Sequence, residues 1–320
     1  MVNVLIRGDE MKKILISLIA LIITACSPYG NLTTMEYEEL KYPFEVKKIK
    51  LDDGRTLAFA DEGKGDVIVF IHGLGSYSPA WQKNIEKLKE KFRCIAVDLP
   101  GYGKSSKEIH SGKMEFYADV VKELLDKLNI EKASIAGHSM GGQIGIVMAL
   151  KYPDKVKSLI LAAPAGFESF TAGQKQWFRD VMTVELVKLT NTQTIRANVV
   201  SNFYNMPDDA EFMITDRIAM RGAKDFENYC YTVVRSVNGM VDQPVIDFLE
   251  KVKKGFKQPI RCPFKCIKTC EISSSPYCII TALYNAFKGN LKNGYAFAGA
   301  NAFLSTKIVS VKELFYELKN

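Results

Sequence analysis

Apolar and polar positions change rhythm repeatedly along the first half of the chain, and each change marks an element. Glu45 to Leu51 and Thr56 to Asp61 alternate around the turn residues Asp52-Asp53-Gly54, which predicts an antiparallel hairpin. Val67 to Ile71 is an unbroken apolar run, the mark of a strand covered on both faces. Helical spacing then runs from about Pro79 to Lys91, strand character from Cys94 to Asp98, and helical spacing again from Met114 to Leu128. A strand at Ala133 to Ala136, a helix from Gly141 to Tyr152 and a strand at Val156 to Ala162 complete the series. Strands alternating with helices in this way predict a mainly parallel, doubly wound α/β sheet. Between Gly166 and Asn238 the pattern is helical and amphipathic, and a further helix is predicted from roughly Gln243 to Lys254.

The chain has 320 residues, 47% of them apolar and 25% charged, enough to bury a full core. Its net charge of +7 is unevenly placed: residues 256–320 hold nine Lys and Arg against three Glu, which leaves 34 basic against 33 acidic residues before them. No element of the first part carries a basic stripe, so nucleic acid is not an expected partner.

The N-terminus has the grammar of an export signal. Lys12 and Lys13 precede the apolar run Ile14 to Ile23, which ends in Thr24-Ala25-Cys26. This resembles a bacterial lipoprotein signal, which implies cleavage before Cys26, lipidation of its thiol and a membrane partner through the lipid. Ser27 after the cysteine points, by the same resemblance, to the outer membrane of a cell that has one. Met11 stands where such signals start. Ten apolar residues fall short of the about 20 that a spanning helix needs; the same run also fits a short buried or interfacial helix.

The chemistry gathers on three loops at strand C-terminal ends, where open α/β sheets place their ligands. They are His72-Gly73-Leu74-Gly75, Asp98-Leu99-Pro100-Gly101-Tyr102-Gly103-Lys104-Ser105 and Gly137-His138-Ser139-Met140-Gly141. In the last, glycines two residues either side of a serine let a strand turn sharply into a helix and leave the hydroxyl exposed. Together the loops resemble the α/β-hydrolase fold family over about residues 45–255, particularly its esterase, lipase and carbon-carbon bond hydrolase branches. The resemblance implies that Ser139 is the nucleophile, that the backbone N–H groups of Leu74 and Met140 form the oxyanion hole, and that residues 166–238 form a helical cap. The cap's apolar residues suit either an acyl or aromatic pocket or simply cap core. The substrate implied is a small ester-like molecule.

One member of the expected triad is missing. The chain's three histidines stand at positions 72, 110 and 138, so none follows the serine, and the last aspartate is Asp247. His138 belongs to the turn, His72 to the oxyanion loop, and His110 sits among serines as a solvated loop residue. Glu168 could take an alternative acid position but has no base to orient, and Asp98 reads as a loop-stabilising carboxylate.

Beyond Gly255 the hydrolase resemblance ends. Arg261-Cys262-Pro263-Phe264, Gly294-Tyr295-Ala296-Phe297-Ala298-Gly299 and Ile308-Val309-Ser310-Val311 resemble the end of a nitronate monooxygenase-like flavoprotein. Members of that group are (β/α)8 barrels that bind FMN. Only about their last 60 residues are represented, so neither FMN nor any other cofactor is expected. Cys262, Cys266, Cys270 and Cys278 match no usual zinc or iron-sulfur spacing, and disulfides are an alternative in an exported chain.

The sequence thus predicts a signal over 1–26, a linker over 27–44, a hydrolase domain over 45–255 truncated after the sixth strand, and an unrelated tail over 256–320. The expected function is that of a membrane-anchored serine hydrolase crippled by loss of its histidine and aspartate. The alternative is a hydrolase-like binding lipoprotein, or a chimeric product, without turnover.

Overall fold

The computed structural model describes Tyr29, residues 32–245 and the pair Phe297–Ala298. The signal, the lipobox cysteine Cys26, the cysteines of the tail and the rest of the flavoprotein-like segment lie outside these residues. Among the described residues two compact units emerge, one formed by Tyr29, 32–36 and 190–224, the other by 37–189, 225–245 and Phe297–Ala298.

The larger unit is built on a sheet of β1 (Lys47–Lys50), β2 (Thr56–Glu62), β3 (Asp66–Ile71), β4 (Phe92–Asp98), β5 (Ala133–His138), β6 (Val156–Ala162) and β7 (Phe297–Ala298), in the order β1-β2-β4-β3-β5-β6-β7. β1 and β2 are the antiparallel hairpin that the alternation predicts, and β2 runs antiparallel to β4. From β4 onward every pairing is parallel. Crossovers return through α1 (Gln82–Leu88), α2 (Met114–Lys127) and α3 (Met140–Lys151), so the α/β class and the doubly wound arrangement stand. The hydrophobic core explains the continuous apolar strands. Phe70 and Ala96 from β3 and β4 pack with Ile85 of α1, Ala60 and Ala136, and Trp81 sits against them with its ring 5.1 Å from that of Phe70.

Past the sixth strand the structure adds to the sequence reading. β7 pairs its two residues with Leu161 and Ala162, so the C-terminal end of β6 is hydrogen-bonded rather than left as a bare edge. The helix predicted from roughly Gln243 to Lys254 lies, from residue 246 on, outside the described residues. Helical structure spans Phe226–Asp242 and stops there, because Gln243 leaves the helix at φ −119°, ψ 60° and Pro244 cannot continue it.

Helical character between 166 and 238 is as predicted, and the last helix runs on to Asp242: α4 (Ala172–Val181), α5 (Val184–Leu189), α6 (Thr192–Val200), α7 (Phe212–Ala219) and α8 (Phe226–Asp242). The smaller unit has a core of its own in Ile195 and Val199 of α6 against Ile214 and Ile218 of α7. In the larger unit α8 buries Tyr229, Cys230, Val233, Ser236 and Val237, whereas α4 and α5 bury nothing. Trp177 is 58% exposed and Leu189 78%.

Candidate active site

The corner between β5 and α3 is where the chain is most constrained. Ser139 stands at φ 52° and ψ −118°, and Ala163, at the end of the neighbouring strand, has φ 42°. Among the described residues only Asn129 shares a positive φ without being glycine. Such backbone costs on the order of 1–3 kcal/mol per residue and persists only when its surroundings over-determine it. Here they do. The Ser139 carbonyl accepts N–H bonds from Gly142 (3.0 Å), Gln143 (3.2 Å) and Ala165 (3.0 Å), and its own N–H donates to Ala162 at 3.0 Å.

The two glycines of the motif answer to close approach. A Cβ on Gly137 would lie 2.2 Å from the Gly141 carbonyl oxygen, and one on Gly141 would lie 2.2 Å from that of Ile71. Gly73 closes the other side, since a Cβ there would meet His138 Nδ1 at 3.0 Å and Ser139 Cβ at 3.3 Å. The oxyanion-loop backbone therefore presses directly on the serine corner. Ser139 itself is half-buried. The N–H of Met140, first residue of α3, has no intrahelical acceptor. Nor does any other acceptor among the described residues take it or the Leu74 N–H. Ser139 thus stands at a helix N-terminus, an arrangement suited to negative charge, with the loop carrying Leu74 packed against it through Gly73.

The other two loops are tied together by buried polar groups. Asp98 is fully buried and accepts from the Ser78 N–H (2.8 Å), the Lys104 N–H (2.8 Å) and the Tyr42 hydroxyl (2.5 Å). Burial, with the Asp98 carboxylate next in weight, drives the Tyr42 hydroxyl far above the usual phenol range. Lys107 donates to the carbonyls of Gly103, at 2.7 Å, and Ser105. Burial pulls its ammonium down to about 8.

Among the described residues the ring nitrogens of His72 and His110 bond to backbone groups rather than to Ser139. His72 is fully buried: its Nε2 accepts from the Leu99 N–H at 3.1 Å, so its Nδ1 carries the proton and donates to Gly73 O at 2.8 Å. Desolvation holds its pKa low and keeps the ring neutral. His138 is likewise lowered by desolvation. The expectation of a solvated His110 is corrected. It is 5% exposed, stacked on Phe116 at 4.6 Å, with Nε2 3.0 Å from the Pro100 carbonyl and Nδ1 accepting from the Gly112 N–H at 3.2 Å. The serines around it suggested solvent; the aromatic pair Phe116 and Tyr117, one helical turn into α2, was the missed signal. Glu168 is exposed. Among the described residues no group of three His, Cys, Asp or Glu side chains could hold a metal ion.

Sheet order, strained serine corner and paired loops define a protein of the α/β-hydrolase fold. Residues 66–213 match the family profile described as alpha/beta hydrolase fold. The chain is 34% identical over 173 residues to the 2-hydroxy-6-oxononadienedioate/2-hydroxy-6-oxononatrienedioate hydrolase of Escherichia coli, covering 51% of this chain and 57% of that protein. It is 40% identical over 123 residues to the dihydrolipoyllysine-residue acetyltransferase component of the acetoin cleaving system of Pseudomonas putida, covering 38% of this chain and 33% of that one. The matched segment thus spans only a third to rather more than half of these relatives. Among solved structures, a probable hydrolytic enzyme from Pseudomonas aeruginosa superposes with a TM-score of 0.61 at 20% identity, covering 90% of this chain and 97% of its own. A thermophilic esterase from Thermogutta terrifontis gives 0.54 at 22%, covering 80% and 89%. At such identities these two likenesses speak for the fold.

Proposed function

We propose that the chain is a serine hydrolase of the α/β-hydrolase family whose nucleophile is Ser139 and whose oxyanion hole is the pair of N–H groups on Leu74 and Met140. The observation that carries this reading is the Ser139 backbone, held at positive φ between a strand and a helix N-terminus with the Gly73 backbone packed on it. Attack of Ser139 Oγ on an ester or related acyl carbon moves charge onto the carbonyl oxygen. Each donor aimed there is worth about 2.7–4 kcal/mol in the transition state. The names of the relatives, hydrolases of small organic acids among them, support a small acyl or carbon-carbon substrate.

In this chain the serine works without an imidazole. Serine is a weak nucleophile until a base takes its proton, and the ring nitrogens of His72 and His110 are occupied by backbone groups. Loss of a triad member leaves roughly 10³–10⁴-fold catalysis over water, so turnover is slow. The same observation favours a second reading, a hydrolase-like protein that binds an ester without turning it over. A fluorophosphonate probe tests the first: slow labelling of the Ser139 peptide, absent in Ser139→Ala, is expected. Equal labelling of both proteins would remove Ser139 from the chemistry.

We also propose that Cys26 carries lipid and anchors the mature protein to a membrane, supported by the Lys12-Lys13 pair, the apolar run and Thr24-Ala25-Cys26. Among the described residues no helix is long and apolar enough to cross a membrane. Palmitate incorporation that survives Cys26→Ser would refute the anchor.

A further inference from the structure

Gln143 lies one turn into α3, directly beneath the serine corner, and is fully buried. Its Nε2 donates twice: to the Met240 carbonyl at 3.1 Å and to the Gln243 carbonyl at 2.7 Å. Met240 is in the last turn of α8, where carbonyls have no intrahelical partner, and Gln243 is the residue that follows the helix. The same side chain fills the space beside Gly166, whose φ is +94° and where a Cβ would lie 2.7 Å from Gln143 Cδ. Gly166 O in turn accepts the Val245 N–H at 2.7 Å. The helical segment that leaves the sheet after β6 and the one that returns through α8 are therefore joined at their roots, and Gln143 touches both.

From the other direction, the Gln143 N–H donates to the Ser139 carbonyl, which also accepts from Ala165. Gln243 Oε1 extends the chain of contacts by accepting the Met114 N–H at 2.7 Å, at the start of α2. One residue thus couples the serine corner, the first residues of the helical excursion and its last ones. The Gln143 Oε1 atom, meanwhile, is buried with no partner among the described residues. A buried acceptor left unmade is unfavourable, and a leucine or methionine there would avoid it. The side chain is explained by its two N–H groups.

We infer that Gln143 is a positioning residue, the latch that fixes both roots of the helical excursion, near Gly166 and near Val245, against the corner that carries Ser139. Its consequence for substrate placement rests on Ser139 being the nucleophile; the latch itself does not. Hydrogen exchange of the full chain, read by mass spectrometry, separates the two. In Gln143→Met, which keeps volume and removes both donors, amides in peptides covering 164–168 and 240–245 should exchange at least about tenfold faster, while the β5 peptide 133–138 is unchanged. Gln143→Glu supplies a reading that packing alone would not move. A protonated carboxyl restores one donor and a carboxylate faces two carbonyls, so protection at 240–245, corrected for intrinsic rates, should fall as pH rises. Unchanged protection at both roots in the methionine variant would overturn the inference. So would loss spread evenly through β3 to β5, or a pH-independent glutamate variant. Failure of Ser139 to take a fluorophosphonate leaves each of these outcomes readable.

Discussion

His110 couples the serine-rich loop after β4 to pH, and the coupling has a calculable size. The imidazole is stacked on Phe116 and edge-on to Tyr117, with its two nitrogens turned to Pro100 O and the Gly112 N–H. Burial lowers its pKa from 6.5 to about 4; the bond to Pro100 opposes the fall, and Arg55 and Arg235 reinforce it. A depressed base is held neutral by the fold, so its contribution is complete above the unfolded value and is lost as pH drops from about 6.5 toward 4. At about 1.4 kcal/mol per unit this amounts to roughly 3 kcal/mol. His72 and His138 are shifted in the same direction, so the comparison must be with a variant. Urea unfolding at several pH values between 7.5 and 4.5 should show a steeper loss for the native protein than for His110→Gln, the gap between them closing by most of that amount. Parallel stability curves for the two proteins would refute the assignment.

Three further outcomes follow from the same geometry. Asp98→Asn replaces a carboxylate that three donors share and should cost about 2–4 kcal/mol in urea unfolding; no loss would mean the carboxylate does not hold the loops. Gly141→Ala sets a methyl 2.2 Å from the Ile71 carbonyl oxygen, whereas Gly173→Ala in α4 meets nothing within 4 Å. The first should exceed the ~1–3 kcal/mol of ordinary overpacking and the second should be neutral or stabilising, which thermal melts decide. Burial pushes the Cys94 thiol up to about 11. Iodoacetamide at pH 8 should therefore leave the Cys94 peptide unmodified in the native protein, and modification before unfolding would contradict the burial.

How far this was legible in the sequence depends on the kind of interaction involved. Strands β3 and β4 announced themselves because a strand covered on both faces needs an unbroken apolar run. The serine corner was legible because only glycine tolerates the approach of Gly137 to Gly141. α8 runs past the predicted limit at Asn238 to Asp242, where Gln243 and Pro244 end it. The double donation by Gln143 was hidden for a different reason: its partners, Met240 O and Gln243 O, lie far away in sequence, and no local pattern encodes them, whereas the burial of His110 had a local signal in Phe116 and Tyr117. The two-residue pairing of β7 on β6 is equally non-local.

The most direct test of the central claim, a correctly built serine corner without its own base, is chemical rescue. Hydrolysis of a p-nitrophenyl ester would be followed with and without added imidazole, for the native protein and for Ser139→Ala. The account predicts slow hydrolysis by the native protein that imidazole accelerates beyond its own background reaction, and no such gain in the alanine variant. Full activity without imidazole, or an equal gain in both proteins, would contradict it.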